Sequence, residues 1–286
     1  MLDTASTAST PPAAPAAPAP PTPWQPAPQT SWQAARCVLG NLWIRHRVTW
    51  RSTFISSVLQ PTLYLLALGL TLGAHIRPGP NTWGQPYAVY LVPGILVTRA
   101  VQNAVGESTY PLLDGFRWTR TYWAAVSSPL EPVDLLNGQV LWVAVQVLES
   151  AVAFLVIAAV FGVVTGPGVV LSLFFAMLTG LAVAVPVMAF VASLEREGPW
   201  FTVLSRFVIL PMTLAAGTYF PVSQLPGWLQ PVAWVTPVWH GNELAREAAF
   251  GGLNVATLSV HTGYLLLFLA AGYAMARRRF TRRLRF

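Results

Sequence analysis

Lysine is the most informative absence in this chain of 286 residues, because all 17 of its basic residues are arginine. A phosphate-binding P-loop needs a lysine in the pattern GxxxxGK[ST], so this polypeptide cannot hydrolyse a nucleotide by that route. Any ATP-driven work must therefore come from another subunit. Cysteine is almost absent as well, and the single Cys37 excludes an internal disulfide.

Charge is the second scarcity. Only 9% of the residues are charged, 54% are hydrophobic and the mean hydropathy is +0.53, whereas a soluble domain carries about 25% charged residues. The composition indicates an integral membrane protein. Although the formal net charge is +7, the arginines flank apolar runs instead of sharing a water-exposed face, so nucleic acid is not an expected partner.

Catalytic motifs are missing too. The sequence contains no HExxH, no GxSxG and no pair of cysteines, and its four histidines are scattered. His240 and Glu243 lie one helical turn apart and could share a metal ion, but a third ligand is lacking, and we interpret them as polar residues of a loop. We therefore expect neither an enzyme nor a metal or cofactor site on this chain.

The N-terminal region divides into a tail and an amphipathic segment. Residues 1–30 are rich in Ala, Pro, Thr and Ser, which predicts a disordered cytoplasmic tail that is not a signal peptide. Residues 31–53 repeat apolar side chains at three-to-four spacing among arginines, which is typical of a helix in the membrane plane. The alternative is that this segment is only the solvated start of the first span. The residues that characterise it are Trp32, Arg36, Trp43 and Arg47.

Six stretches reach the length of about 20 apolar residues that a bilayer crossing needs. The predicted spans are 54–74, 87–105, 135–164, 169–191, 201–220 and 258–276. They predict an all-α integral membrane protein with a six-span domain over 54–276 and a basic tail over 277–286. A tight turn at 165–168 makes the third and fourth spans an antiparallel hairpin.

Arginine placement predicts the orientation. Four arginines precede the first span and six follow the last, so both termini are expected in the cytoplasm. This orientation leaves only Arg77 and Arg246 outside, and it places the segment 217–250 on the extracellular side. That segment is rich in Trp and Pro but too broken to span a bilayer, which predicts a re-entrant hairpin at the membrane surface.

Three charged residues lie within or at the end of spans. Arg99 lies inside the second span, Glu107 at its cytoplasmic end and Glu149 well inside the third. Because charge at membrane depth is costly, such residues usually face protein or water. Three interpretations are open: an ion pair between Arg99 and Glu149, the lining of a substrate path, or snorkelling of Arg99.

The cytoplasmic loop 107–134 contains a candidate amphipathic helix. Gly115 can begin it, Trp118, Tyr122 and Val126 recur at four-residue spacing, and Pro129 can end it. The helix either binds a partner or lies on the membrane surface without one. A partner is required if the chain belongs to an ATP-driven pump.

Two segments carry a resemblance to a known family. DGFRWTRTYWAAVSSPLEPVDLLNG at 114–138 resembles the first cytoplasmic loop of ABC type-2 exporter permeases, and GTYFPVSQLPGWLQPVAWVTPVWHGNELAR at 217–246 resembles their last extracellular loop. The nodulation-factor exporter (NodJ-like) and antibiotic-resistance branch is the most similar. The resemblance covers the chain from Trp32 to its C-terminus.

The resemblance implies a complex with several partners. It implies two permeases, as a homodimer or a heterodimer, above two separate ATPase subunits that hold ATP and Mg²⁺. The segment 31–53 would be the connecting helix. The residues implied to couple to the ATPase are Gly115, Phe116, Arg117, Arg120, Thr121 and Tyr122. Those implied to form a lid over the exit path are Phe220, Pro221, Pro226, Gly227, Trp228, Trp234 and Trp239.

These observations predict a multi-pass permease subunit in a bacterial inner membrane that exports an amphiphilic, lipid-linked or drug-like molecule. The export direction is implied by the resemblance. The alternative is an ion-coupled secondary transporter, which would need carboxylates deep in its spans, where Glu149 stands alone. The sequence leaves the substrate open among drugs, glycolipids, polyketides and teichoic-acid precursors.

Overall fold

The computed structural model describes residues 31–73, 75–164, 166–195 and 198–285. The predicted disordered tail, 1–30, lies outside these ranges, as does part of the predicted 165–168 turn. Within them the chain forms helices joined by turns and loops, with no strand, so an all-α architecture is confirmed for the described residues.

Eleven α-helices follow one another along the described chain. Two π-helical stretches, Ala67–Leu72 after α1 and Leu204–Ile209 between α7 and α8, extend this set. The α-helices are α1 (Ser31–Leu66), α2 (Tyr87–Glu107), α3 (Tyr110–Arg117), α4 (Thr121–Val126), α5 (Pro132–Val160), α6 (Gly168–Ala192), α7 (Trp200–Val203), α8 (Leu210–Ala215), α9 (Gln230–Val235), α10 (Pro237–Phe250) and α11 (Val255–Leu284).

Helix α1 joins two segments that the sequence suggested as separate. It runs without interruption from Ser31 to Leu66, so the predicted connecting helix, 31–53, and the first part of the first predicted span, 54–74, share one helix. No proline or glycine turn separates them.

Four helical segments in the described part of the chain are long and apolar enough to cross a membrane. They are Pro80–Arg117, Pro132–Val160, Gly168–Ala192 and Val255–Leu284. Several apolar helices of membrane-spanning length are thus confirmed, but the predicted number of six spans is not confirmed. The short helices α9 and α10 occupy the predicted hairpin segment, but its re-entrant depth remains a prediction.

The fifth predicted span, 201–220, is wrong at its C-terminal end. The apolar helical run there, Trp200–Ala215, is shorter than the four long segments. It ends because the chain turns at Gly217, whose φ of 79° is left-handed and is accessible to glycine without a steric cost. At 1.5 Å per residue the run is about 24 Å long, less than the roughly 30 Å of a bilayer core.

A single helix beginning at Gly115 is also wrong for the cytoplasmic loop. The loop contains two helices, α3 and α4, and Gly115 lies near the end of the first. Arg120 adopts a left-handed φ of 53° between them, which is uncommon for a residue with a side chain. The predicted four-residue repeat of apolar residues therefore spans a corner.

Helix α6 occupies the centre of the packing. It contacts α2, α10 and α11, while α1 packs mainly along α5. Close approach depends on small residues: a Cβ at Gly180 would lie 3.0 Å from the Ala100 carbonyl oxygen, and one at Gly272 would lie 2.6 Å from Pro186. Small residues at helix contacts are typical of membrane bundles.

Candidate functional site

A polar cavity of about 590 Å³ lies between the end of α1, the C-terminal half of α2 and the helical run α7–α8. Arg99, Arg206 and Glu107 are on its wall. Arg99 donates from Nη1 to the Oε1 atoms of Gln60, at 3.1 Å, and Gln102, at 3.2 Å. Guanidinium and amide groups therefore line a region between helices that are otherwise strongly apolar.

Arg99 and Glu149 have different partners. Glu149 Oε2 lies 3.1 Å from Nε2 of His46 on α1, and the His46 ring meets the Trp142 ring edge-on at 5.3 Å. Arg99 is held by the amides described above, so the structure does not show the direct ion pair between Arg99 and Glu149. The substrate-path role of Arg99 stays a prediction.

Glu107 links α2 to α5. Its Oε2 accepts a hydrogen bond from Trp142 Nε1 at 3.0 Å, and its backbone carbonyl accepts one from Gln139 Nε2 at 3.3 Å. The Glu107 carboxylate also borders a second cavity of about 200 Å³ between α1 and α5. Glu107 therefore lines both cavities and is held by hydrogen bonds from α5.

The residues implied to couple to an ATPase divide into a buried and an exposed set. Gly115, Phe116 and Tyr122 are buried, and the Phe116 ring meets the Tyr122 ring edge-on at 4.8 Å. A Cβ at Gly115 would lie 2.5 Å from the Tyr122 ring. Burial raises the pKa of the Tyr122 phenol, which stays neutral and donates to Gln139 Oε1 at 3.2 Å.

The other three residues of this set lie on the surface. Arg117, Arg120 and Thr121 are exposed, and Arg117 donates from Nη1 to the Glu195 carbonyl at 3.0 Å. The loop is therefore a two-helix corner with an aromatic interior and a basic outer face.

The connecting-helix residues mostly face outward. Trp32, Arg36, Trp43 and Arg47 are all exposed, whereas Ala34, Ala35 and His46 of the same helix are buried. A Cβ at Gly138 would lie 2.5 Å from Val38, so α1 approaches α5 closely. Exposed tryptophan and arginine on one helix fit the headgroup layer of a membrane.

The predicted lid residues lie on and around α9 and α10. Trp228 is 76% exposed and Trp234 47% exposed, while Trp239, in α10, is partly buried and its ring meets the His261 ring of α11 edge-on at 5.1 Å. Thr236 caps α10, since its Oγ1 accepts a hydrogen bond from Trp239 N at 3.3 Å. Phe220, Pro226 and Gly227 are exposed, and Pro221 is half-buried.

Sequence reasoning missed the most buried charge in the described protein. Arg246, which we expected outside the membrane, is 1% exposed. Its Nη2 donates to the carbonyls of Gly217 and Thr218, the latter at 3.1 Å. Its guanidinium lies over the Tyr90 ring at 4.4 Å, and its Nη1 lies 3.7 Å from Glu243 Oε1.

Arg246 belongs to a network around the corner at residues 216–219, which we call the carbonyl corner. Asn242 donates to the Ala216 carbonyl at 2.9 Å, and Tyr87 donates to the Tyr219 carbonyl at 2.9 Å. Four successive carbonyls thus accept hydrogen bonds from side chains of α2 and α10. These hydrogen bonds satisfy the backbone carbonyls that follow the end of α8, and carbonyls buried away from water need such partners.

The corner also has a tight steric match. The hydroxyls of Thr98 and Thr218 lie 2.8 Å apart, and a Cβ at Gly94 would lie 2.7 Å from the Thr218 carbonyl oxygen. The available sequence signal was an Arg three residues after Glu243 within a weakly polar helix. That signal does not reveal which carbonyls the guanidinium would reach.

Two of the histidines that the sequence scatters lie in contact. His240 Nδ1 is 2.7 Å from His261 Nδ1, and the His240 ring stacks on Tyr264 with centroids 3.9 Å apart. One ring must donate and the other accept, so at least one is neutral. No group of three His, Cys, Asp or Glu residues in the described ranges could hold a metal ion.

Comparison with known proteins gives a family match over most of the chain. The family described as ABC-2 type transporter matches residues 37–250. This range includes the polar cavity, the two-helix cytoplasmic loop and the carbonyl corner.

Several individual proteins are similar over nearly their whole length. Nodulation protein J of Sinorhizobium fredii (strain NBRC 101917 / NGR234) is 29% identical, with 82% of this chain and 92% of the relative covered. Nodulation protein J of Rhizobium leguminosarum bv. viciae is 28% identical, over 90% of this chain and 98% of the relative. The inner membrane transport permease YadH of Escherichia coli (strain K12) is 22% identical, over 85% and 92%.

Proposed function

The chain belongs to the ABC-2 type transporter family, as the resemblance of its two loops predicted, and from this premise we propose that it is the transmembrane subunit of an ATP-driven exporter. The family match over 37–250 is the observation that carries the proposal. The chain lacks lysine and with it a P-loop, so ATP and Mg²⁺ would bind to separate ATPase subunits.

The cytoplasmic loop is the proposed contact with those subunits. Its basic outer face presents Arg117, Arg120 and Thr121, and its aromatic interior fixes the two short helices relative to α11 through Phe280, 5.1 Å from the Phe116 ring. A partner that pushes on this corner would therefore move long helices. We expect two ATPases beneath two permeases, the permeases forming a homodimer or a heterodimer.

We assign the steps of the proposed transport to other features of the structure. The polar cavity beside α2 would receive an amphiphilic molecule from the cytoplasm or inner leaflet, and the hairpin at 217–250 would cap its exit. Both termini would lie in the cytoplasm of a bacterial cell with this chain in its inner membrane. The similarity to the transport permease supports a transport role, and the export direction is part of our proposal.

The experiment is a reconstitution with the cognate ATPase. We expect no ATP hydrolysis by the purified chain, and faster hydrolysis by the ATPase when it is assembled with the chain. The double variant Arg117→Glu/Arg120→Glu should reduce that stimulation at least about tenfold, because it places two like charges where a complementary surface is expected. Arg77→Glu, an exposed arginine remote from the loop, is the matched control.

Normal stimulation in the double variant would contradict the proposed contact. An ion-coupled transporter is the other hypothesis from the sequence, and the family match does not favour it.

A further inference from the structure

We infer that the polar cavity beside α2 is a binding site for the anionic headgroup of an amphiphile whose hydrocarbon tail lies along the exposed face of α1. The inference rests on the proposed export function and names the chemical class of its cargo. It depends on three observations: the charge of the cavity, its connection to an apolar strip, and the π-helical segments beside both.

The charge of the cavity favours an anion. Arg99 and Arg206 line it with Glu107 as the acid among its lining residues. Two guanidinium groups therefore face one carboxylate, whose Oε2 accepts a hydrogen bond from the Trp142 indole. Guanidinium groups bind phosphate, sulfate and carboxylate in a planar, two-point geometry.

The cavity is large enough for a headgroup, and packing contacts hold its wall in place. Its volume of about 590 Å³ lies within the range of small-molecule sites. Tyr110 and Phe201 meet edge-on at 4.6 Å on its wall, and Asn103 is anchored to α5 through Ser150 Oγ at 2.9 Å. The wall is therefore built from three separate helical elements held together by specific contacts.

An apolar strip begins where the polar cavity ends. Gln60 lines both the cavity and a neighbouring groove of about 540 Å³, whose other residues are Leu59, Leu63, Tyr64 and Ala67. Leu59 is 54% and Leu63 55% exposed. A molecule with its headgroup between the arginines could thus extend its tail along α1 without leaving contact with the protein.

One π-helical stretch adjoins the polar cavity, and another adjoins the apolar strip. Arg206 lies in the π-helical stretch Leu204–Ile209, and the apolar strip ends at Ala67, where the other π-helical stretch, Ala67–Leu72, begins. Short π-helical segments are rare and occur frequently at functional sites. Here one of them positions a guanidinium on the cavity wall.

The test uses the full chain assembled with its ATPase in phosphatidylcholine nanodiscs. Binding of dodecyl phosphate is compared with binding of dodecyl maltoside and of inorganic phosphate, and octyl phosphate is added to measure the tail contribution. We expect dodecyl phosphate to bind at least tenfold more tightly than each of the others. Phosphatidylglycerol, an anionic two-chain lipid, should compete with dodecyl phosphate for the same site.

Variants locate the two parts of the site. Arg206→Gln should weaken the binding of dodecyl phosphate about tenfold or more, whereas Arg206→Lys should keep most of the affinity. The control variant Arg77→Gln should bind dodecyl phosphate as the wild type does. Leu63→Gln should abolish the advantage of the dodecyl over the octyl chain. Because Arg206 and Leu63 are exposed, both variants should fold, which their melting temperatures would verify.

If dodecyl maltoside bound as tightly as dodecyl phosphate, the site would not be specific for an anionic headgroup. If inorganic phosphate bound as tightly as dodecyl phosphate, the ligand would not be an amphiphile. If Leu63→Gln separated two copies of the chain but left the tail advantage intact, the strip would be a subunit interface and the tail site would be wrong. In each of these cases ATPase stimulation by the chain would persist, so the exporter proposal would survive.

Discussion

Replacing Arg246 with methionine should destabilise the protein more than replacing any exposed arginine. Methionine keeps much of the aliphatic volume but removes every donor of the guanidinium. The carbonyls of Gly217 and Thr218 would then stay buried without this donor, and the stacking on Tyr90 would be lost. The perturbation therefore tests whether the carbonyl corner depends on this side chain.

The magnitude follows from these contacts. Each carbonyl left without its donor costs about 1–3 kcal/mol, and the stacking on Tyr90 contributes about 0.5–2 kcal/mol. The pair with Glu243 contributes less because Glu243 is 27% exposed. Since burying the arginine carried its own desolvation cost, we expect a net loss of about 3–5 kcal/mol.

Thermal unfolding in nanodiscs measures the effect. A loss of this size should lower the melting temperature by about 10 °C, with Arg246→Lys between the methionine variant and the wild type because it keeps a charge and a donor. Arg77→Met, at an exposed position, should change stability by less than about 0.5 kcal/mol. If Arg246→Met melted at the wild-type temperature, the carbonyl corner would not need the guanidinium.

Two further predictions concern Gly94 and His240. Gly94→Ala should lower the melting temperature and the transport rate, because its Cβ would lie 2.7 Å from the Thr218 carbonyl oxygen. Gly263→Ala should change neither, because open space surrounds Gly263, and equal effects of the two variants would refute the steric argument. Burial, and secondarily His261, lowers the pKa of His240 from 6.5 to about 4, so stability should be full above pH 6.5 and fall as the pH drops towards 4. Melting temperatures between pH 7 and 4.5 should show this fall, and the variant with both histidines replaced by phenylalanine should lose that dependence; an unchanged dependence would contradict the assignment.

The sequence predicted features that depend on local composition. Hydropathy located the long helices, and the two loop segments identified the family. The loop helices were predicted less well, because a four-residue repeat of apolar side chains looks the same in one continuous helix and in two helices joined at Arg120. The left-handed backbone of Arg120 has no sequence signature of its own.

Tertiary contacts account for most of what the sequence could not predict. An apolar run continues through 201–220, but the helix ends at Ala215 because side chains from α2 and α10 satisfy the carbonyls that follow. Those donors are distant in sequence, with Arg246 lying 29 residues after Gly217. His240 and His261 meet for the same reason, since packing of α10 on α11 brings them together.

The most direct measurement of the central claim is transport by proteoliposomes that contain this chain with or without its ATPase partner. Export of a supplied amphiphile should require the partner and ATP, and should stop when the partner's ATP hydrolysis is blocked. A proton gradient alone should drive no transport. Robust transport by the chain without the partner, driven by a proton gradient, would contradict the assignment as an ATP-driven permease subunit.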